Sequence, residues 1–178
     1  IDHASRVIVG PVRLALKTEQ MAAVASAEVV QELPAKKERA VEAWGSDYPL
    51  NVMFLCMHNS CRSQMADGWM RKLRVAEAAN VGVASAGIKD RREIKPAAVT
   101  VMAEVGIDLS NHPSQPLSEF SPELFDVVVS CCACGQHLSG ELEAWKRRTL
   151  FLDWSLDGPE KLDPGDYSVY RRGRGETR

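Results

Sequence analysis

Apolar residues in this chain fall into short, nearly continuous runs, separated by longer stretches with a helical repeat. The runs Asn51 to Leu55, Val81 to Ala84, Asp126 to Ser130 (with Val127, Val128 and Val129) and Arg148 to Leu152 read as buried strands. Between them, Ser63 to about residue 79 carries Met65, Ala66, Trp69, Met70 and Leu73 on one helical face. Pro96 to Val105 reads as a second helix, with proline near its start and Gly106 as its stop. A last helix is expected to begin near Asp166. Strands that alternate with helices and are apolar throughout imply a parallel sheet covered on both faces, an α/β fold of four strands. Ligands of such sheets sit beyond the carboxyl ends of the strands. Cys56, Ser85, Cys131 and Cys132 all fall just past strand ends, so they can converge on one place.

Residues 1–49 follow a different pattern and read as a helical N-terminal extension, distinct from a catalytic domain over residues 50–178. Met21 to Leu33 has apolar residues at helical spacing, Pro34 interrupts it, and Ala35 to Trp44 resumes with charged helix formers before Gly45. This extension is expected to pack, or to continue an upstream domain, rather than to carry catalysis. One expectation is that its helices, about 21 to 44, cover part of the sheet.

Composition narrows the class. A chain of 178 residues, 45% hydrophobic and 26% charged, suits one ordinary globular domain with an appendage. A net charge of −2 favours neither nucleic acid nor an anionic membrane as partner. No apolar run reaches the roughly 20 residues of a membrane span. The chain starts at Ile1 rather than Met, and no secretory h-region is visible. The five cysteines, at positions 56, 61, 131, 132 and 134, form two clusters rather than a dispersed framework. That distribution points to catalysis, metal or redox work in a reducing compartment, with the cytoplasm as the expected location.

The chemistry centres on Cys56-Met57-His58-Asn59-Ser60-Cys61-Arg62-Ser63, a C-x5-R spacing between an apolar strand and a helix start. Strand, tight loop and helix N-terminus form a cup of backbone N–H groups suited to a tetrahedral oxyanion. Met57, His58, Asn59, Ser60, Cys61, Arg62 and Ser63 are its expected anion-binding residues. Cys56 lies at the base, and Arg62 offers a planar fork for two anion oxygens. These donors favour thiolate over thiol at Cys56, so it is the expected nucleophile. The reaction class is attack by sulfur on phosphate or on something shaped like it.

The run from Cys56 through Gln64-Met65-Ala66-Asp67-Gly68-Trp69 resembles the signature of arsenate reductases built on the low-molecular-weight tyrosine phosphatase fold. Ser85-Ala86-Gly87-Ile88, Glu104 to Ser110 and Asp126 to Ser130 extend the similarity over about residues 50 to 172. Gln64 matches the reductases, where phosphatases of this fold usually have proline. Cys132-Ala133-Cys134-Gly135 resembles the C-x-C-G of reductases linked to glutathione and glutaredoxin, whereas the thioredoxin-linked branch places its third cysteine farther along. The resemblance implies attack of Cys56 on arsenate and loss of water. Capture of Cys56 by Cys132, directly or after glutathione, then releases arsenite, and Cys134 moves the disulfide to Cys132–Cys134. It implies no bound cofactor or metal, with glutaredoxin or thioredoxin as the electron-donating partner. Ser63 is expected to hydrogen-bond Cys56, Asn59 to brace the loop, and Cys61 to be structural. Cys131 is extra to the pattern and reads as a buried neighbour. His58 reads equally as a positive loop residue or a surface imidazole.

The chain departs from that family in three places. In Asp153-Trp154-Ser155-Leu156-Asp157-Gly158-Pro159, glycine occupies the position before proline where the family has its general acid. Asp157, one residue away, is the expected substitute, since a general acid needs reach more than register. Gly173 and Gly175 weaken the last helix. Gln115 stands where some relatives have an aspartate serving a potassium site, although Asn59, Asp67 and Ser85 remain. Three alternatives stay open: a phosphatase of the same fold, a degenerate inactive member, and a zinc or arsenite binder using Cys131, Cys132, Cys134 and His137.

Overall fold

The computed structural model describes residues 49–133, 139–158 and 166–177, together with residues 38 and 40. Four strands form one parallel sheet: β1 (Leu50–Cys56), β2 (Val81–Gly87), β3 (Val127–Ser130) and β4 (Leu150–Asp153). Their spatial order is β2-β1-β3-β4. Leu50 pairs with Val81 and Cys56 with Gly87, while Val52 to Leu55 pair with Val127 to Ser130. Strand order reverses between β1 and β3, the crevice where open α/β sheets bind ligands. The carboxyl ends at that crevice are Cys56 and Ser130.

From residue 49 on, the described residues include the helices α1 (Arg62–Ala76), α2 (Pro96–Ala103), α3 (Ser139–Arg148) and α4 (Ser168–Glu176). Alternate residues of β1 divide the core. Leu50, Val52 and Phe54 pack with Val127, Val129, Leu150 and Leu152 on the face that meets Ala66 of α1. Met53, Leu55 and Val128 pack on the other face against Leu142 and Trp145 of α3. The sheet therefore has helices on both faces, as its apolar strands predict. A third cluster lies between α1 and α2, where Met65 and Trp69 meet Ala98, Val101 and Met102. No described helix is long and apolar enough to cross a membrane.

The last helix, expected near Asp166, begins at Ser168 and lies away from the sheet. It docks on α1 and α2 instead, through Trp69 Nε1 donating to Arg174 O at 3.2 Å and Arg174 Nη1 donating to Val101 O at 2.7 Å. Arg171 and Arg174 both reach Glu104, at 2.7 and 3.0 Å. The helix also runs through Gly173 to Glu176, because these contacts outweigh the weak propensity of its glycines. Most of the N-terminal extension lies outside the described residues. Glu38 and Ala40 are helical, and Ala40 is buried in the cluster of Leu50, Val52, Val129 and Leu150.

Candidate active site

The loop after β1 is built by its carbonyl groups. Cys56 O accepts from Ile88 N, Met57 O from Lys89 N, His58 O from Arg92 N, and Ser60 O from Lys95 N. Asn59 O accepts from Gln64 Nε2 at 3.2 Å and from Ser114 Oγ at 3.1 Å. Cys61 O closes the first turn of α1 by accepting from Met65 N. All described peptide bonds are trans. In a trans peptide the N–H points opposite to the C=O. Tying these carbonyls to the surrounding chain thus turns the N–H groups of Met57 to Arg62 toward the inner side of the loop. Helix α1 begins at Arg62 with no side-chain cap and no acidic residue in its first turn. An anion in the loop would satisfy those helix donors.

Asn59 is the brace. It is fully buried and adopts φ +50°, a left-handed conformation that asparagine tolerates. Its Oδ1 accepts from Gln64 Nε2 at 3.0 Å and from Gln115 N at 2.9 Å. Its Nδ2 donates to Ser63 Oγ at 3.0 Å. Ser63 Oγ and Cys56 Sγ share a hydrogen bond of 2.9 Å. With Asn59 donating into that hydroxyl, its own proton is free to point at the sulfur. Cys56 is buried, 4% exposed.

Sequence reasoning did not foresee the part played by Gly87. It ends β2 beside the loop, and a Cβ there would lie 2.8 Å from His58 C and 2.9 Å from Asn59 N. Only glycine lets the strand come that close. Gln64, noticed only as a family marker, also donates to Pro113 O at 2.9 Å and so ties α1 to the segment past α2.

Arg62 is half-buried, and its Nη1 donates to Leu156 O at 2.8 Å. That bond holds the segment after β4 beside the loop, so Asp157, the next residue, faces the same cleft as Arg62. Met65 of α1 and Tyr170 and Gly173 of α4 also line it. His58 lies at the rim with Nδ1 at 3.1 Å from Asp90 O. Asp67 is ion-paired with Arg71, whose Nη2 also donates to Val83 O at 2.7 Å. The side chain of Gln115, meanwhile, reaches Glu119.

Past β3, Cys131 is fully buried and free, whereas Cys132 is half-buried and disulfide-bonded. Ala133 follows with φ +53°, so the chain turns sharply there. Cys134 and His137 lie outside the described residues. Among the described residues, no group of three or more His, Cys, Asp or Glu side chains is placed to hold a metal ion.

Residues 51–157 match the family described as low molecular weight phosphotyrosine protein phosphatase. The chain belongs to this phosphatase family. Within it, relatives with reductase names stand out. The chain is 40% identical over 127 residues to the glutaredoxin arsenate reductase of Synechocystis sp., covering 71% of this chain and 89% of the relative. It is 36% identical over 128 residues to the arsenate reductase of Halalkalibacterium halodurans, covering 70% of this chain and 87% of the relative. A solved arsenate reductase in a phosphate-binding state superposes with a TM-score of 0.60 at 38% identity, covering 72% of this chain and 90% of that one. The phosphatase-family fold expected from the motif is therefore the fold observed.

Proposed function

We propose that this protein reduces arsenate to arsenite, with Cys56 as nucleophile and Cys132 as the thiol that recaptures it. The observation that carries the reading is a disulfide-bonded Cys132 past the end of β3, the strand adjoining the one that ends in Cys56. Ester hydrolysis alone needs no second redox sulfur. The arsenate reductase relatives support the same choice.

The proposed reaction runs in four steps. Arsenate enters the loop, where inward N–H groups and Arg62 hold its oxygens. The Cys56 sulfur, held by Ser63, attacks arsenic, and Asp157 gives a proton to the departing oxygen, which leaves as water. A second thiol, Cys132 or glutathione ahead of it, then attacks the Cys56 sulfur. The S–As bond breaks, its electron pair stays on arsenic, and arsenite leaves. Cys134 displaces Cys56 from Cys132, leaving a disulfide that an outside dithiol or glutathione reduces. The proposed donor is the glutathione and glutaredoxin system of a reducing compartment, the cytoplasm, in keeping with the glutaredoxin named in the Synechocystis relative.

The test is arsenite formation from arsenate by the purified protein, with glutathione and glutaredoxin or, separately, with thioredoxin and its reductase. Turnover in the first system only, falling to background in Cys56→Ser and Cys132→Ser, is the expected result. Asp157→Asn should lower kcat by about 10²–10⁴-fold. Aryl phosphate hydrolysis that needs Cys56 but not Cys132, without arsenite, would replace this reading with a phosphatase. Folded protein that binds the oxyanion and turns over neither substrate would mean an inactive member.

A further inference from the structure

Cys131 is a nucleophilic group that the relay just described does not use. Its backbone N donates to Leu55 O at 2.7 Å, so the β1–β3 pairing continues one step beyond Leu55 and Ser130. That step places Cys56 opposite Cys131. Neighbouring strands lie about 4.8 Å apart, and disulfides span Cα separations of roughly 4.4–6.8 Å. Register partners in a parallel pair project to the same face. Here both face α1: Cys56 Sγ meets Ser63, and Cys131 packs in the cluster that includes Ala66. Cys61 packs instead with Met65, Ala98 and Met102 between α1 and α2.

We propose that Cys131 is a second acceptor thiol for Cys56, closing a Cys56–Cys131 disulfide when Cys132 is already oxidised. In arsenate reduction the Cys131 sulfur attacks Cys56 Sγ in the S–As(V) adduct. An S–S bond forms, the S–As bond breaks, and arsenic takes the electron pair and leaves as arsenite. The thiol proton passes to solvent. Two sulfurs are oxidised by one electron each and arsenic is reduced by two. This step rests on the arsenate reading. The same closure follows if a peroxide converts Cys56 to a sulfenic acid, since Cys131 then displaces hydroxide as water. Oxidised Cys132 cannot serve in either case, which leaves Cys131 as the thiol on the face of Cys56.

Ordinary turnover does not pass through Cys131, for a reason visible at the site. Burial holds its thiol well above the usual range, the charges of Cys56, Asp153 and Cys61 add to this, and Arg62 opposes them. Closure is thus slow at neutral pH and speeds up as pH rises, as more of Cys131 ionises.

Two arms test the pairing, both without glutathione. In the first, reduced Cys132→Ser receives arsenate. The expected result is up to one arsenite per protein, with a Cys56–Cys131 peptide in the non-reducing digest, and loss of both in Cys131→Val/Cys132→Ser. Intact thiols and no arsenite, while the wild type turns over, would overturn the proposal. In the second, wild-type protein oxidised at Cys132 receives hydrogen peroxide. A Cys56–Cys131 link supports the proposal, and a Cys56–Cys61 link or a Cys56 sulfinic acid overturns it. If the wild type makes no arsenite at all, the arsenate reading fails, and the peroxide arm alone decides the pairing.

Discussion

At Gly87 a single added methyl group would press on the backbone of His58 and Asn59, atoms that cannot swing aside as a side-chain tip can. Gly87→Ala is expected to displace the loop and raise the KM for arsenate by at least about tenfold, a loss of roughly 1.4 kcal/mol, with the melting temperature changed far less. Steady-state kinetics beside a thermal scan checks both. Gln64→Ala should act on the same loop from the other side, since its amide bonds Asn59 and Pro113 at once. The loop between Cys56 and Arg62 was readable in the sequence because five residues between a strand and a helix close a loop whatever surrounds it. The need for glycine at position 87 was not, because it arises only when a strand that begins 25 residues after Cys56 is laid beside that loop. The bond from Arg62 to Leu156 was hidden for the same reason, although it is what brings Asp157 to the cleft.

Among the elements, the four strands were legible because buried parallel strands are apolar on both faces. Helix α3 was not recognised: its apolar anchors Leu142 and Trp145 stand among Glu143, Lys146, Arg147 and Arg148, which hide the repeat. The fate of α4 was decided by tertiary contacts rather than propensity. Its hydrogen bonds with Arg171 hold the Glu104 carboxyl below its usual range, with Arg174 adding to the effect. A lowered folded value means the contribution to docking is complete above the ordinary glutamate value of about 4.3. It is lost as pH falls through the lowered one. Protection of the α4 amides, measured against the intrinsic exchange rate at each pH, should therefore fall as the pH drops below the ordinary glutamate range, and in Glu104→Gln it should be lower already at neutral pH and respond less to acid. Ala40 is buried in one cluster with residues of β1, β3 and β4. Deleting residues 1–48 should lower the melting temperature by several degrees, and an unchanged value would mean that the catalytic domain folds without them.

On the scale of the whole molecule, strand order assembles the site. Cys56 and Cys132 are far apart in the chain, yet the order β2-β1-β3-β4 sets the ends of their strands side by side. The alternation of strands and helices was enough to foresee that convergence. The spatial order was not written in any one segment, because it depends on how crossovers pass over the sheet. Replacing the thiol at the end of β3 should therefore abolish multiple turnover without weakening oxyanion binding, as Cys132→Ser with vanadate titration would show.

A cup tied outward through its carbonyls exists before any guest arrives. Such a rigid cradle measures charge, shape and size, and on those terms inorganic phosphate and arsenate are near twins. Discrimination by fit between close isosteres is small, so phosphate should compete for the site with an inhibition constant within about an order of magnitude of the arsenate KM. Fidelity then has to come from what each guest can do once held. Arsenic accepts an electron pair and departs, whereas phosphorus keeps its oxidation state and leaves as it came. In a phosphate-rich cell the protein would spend much of its time occupied by the abundant ion, and its output would follow the ratio of the two anions rather than the amount of arsenate alone.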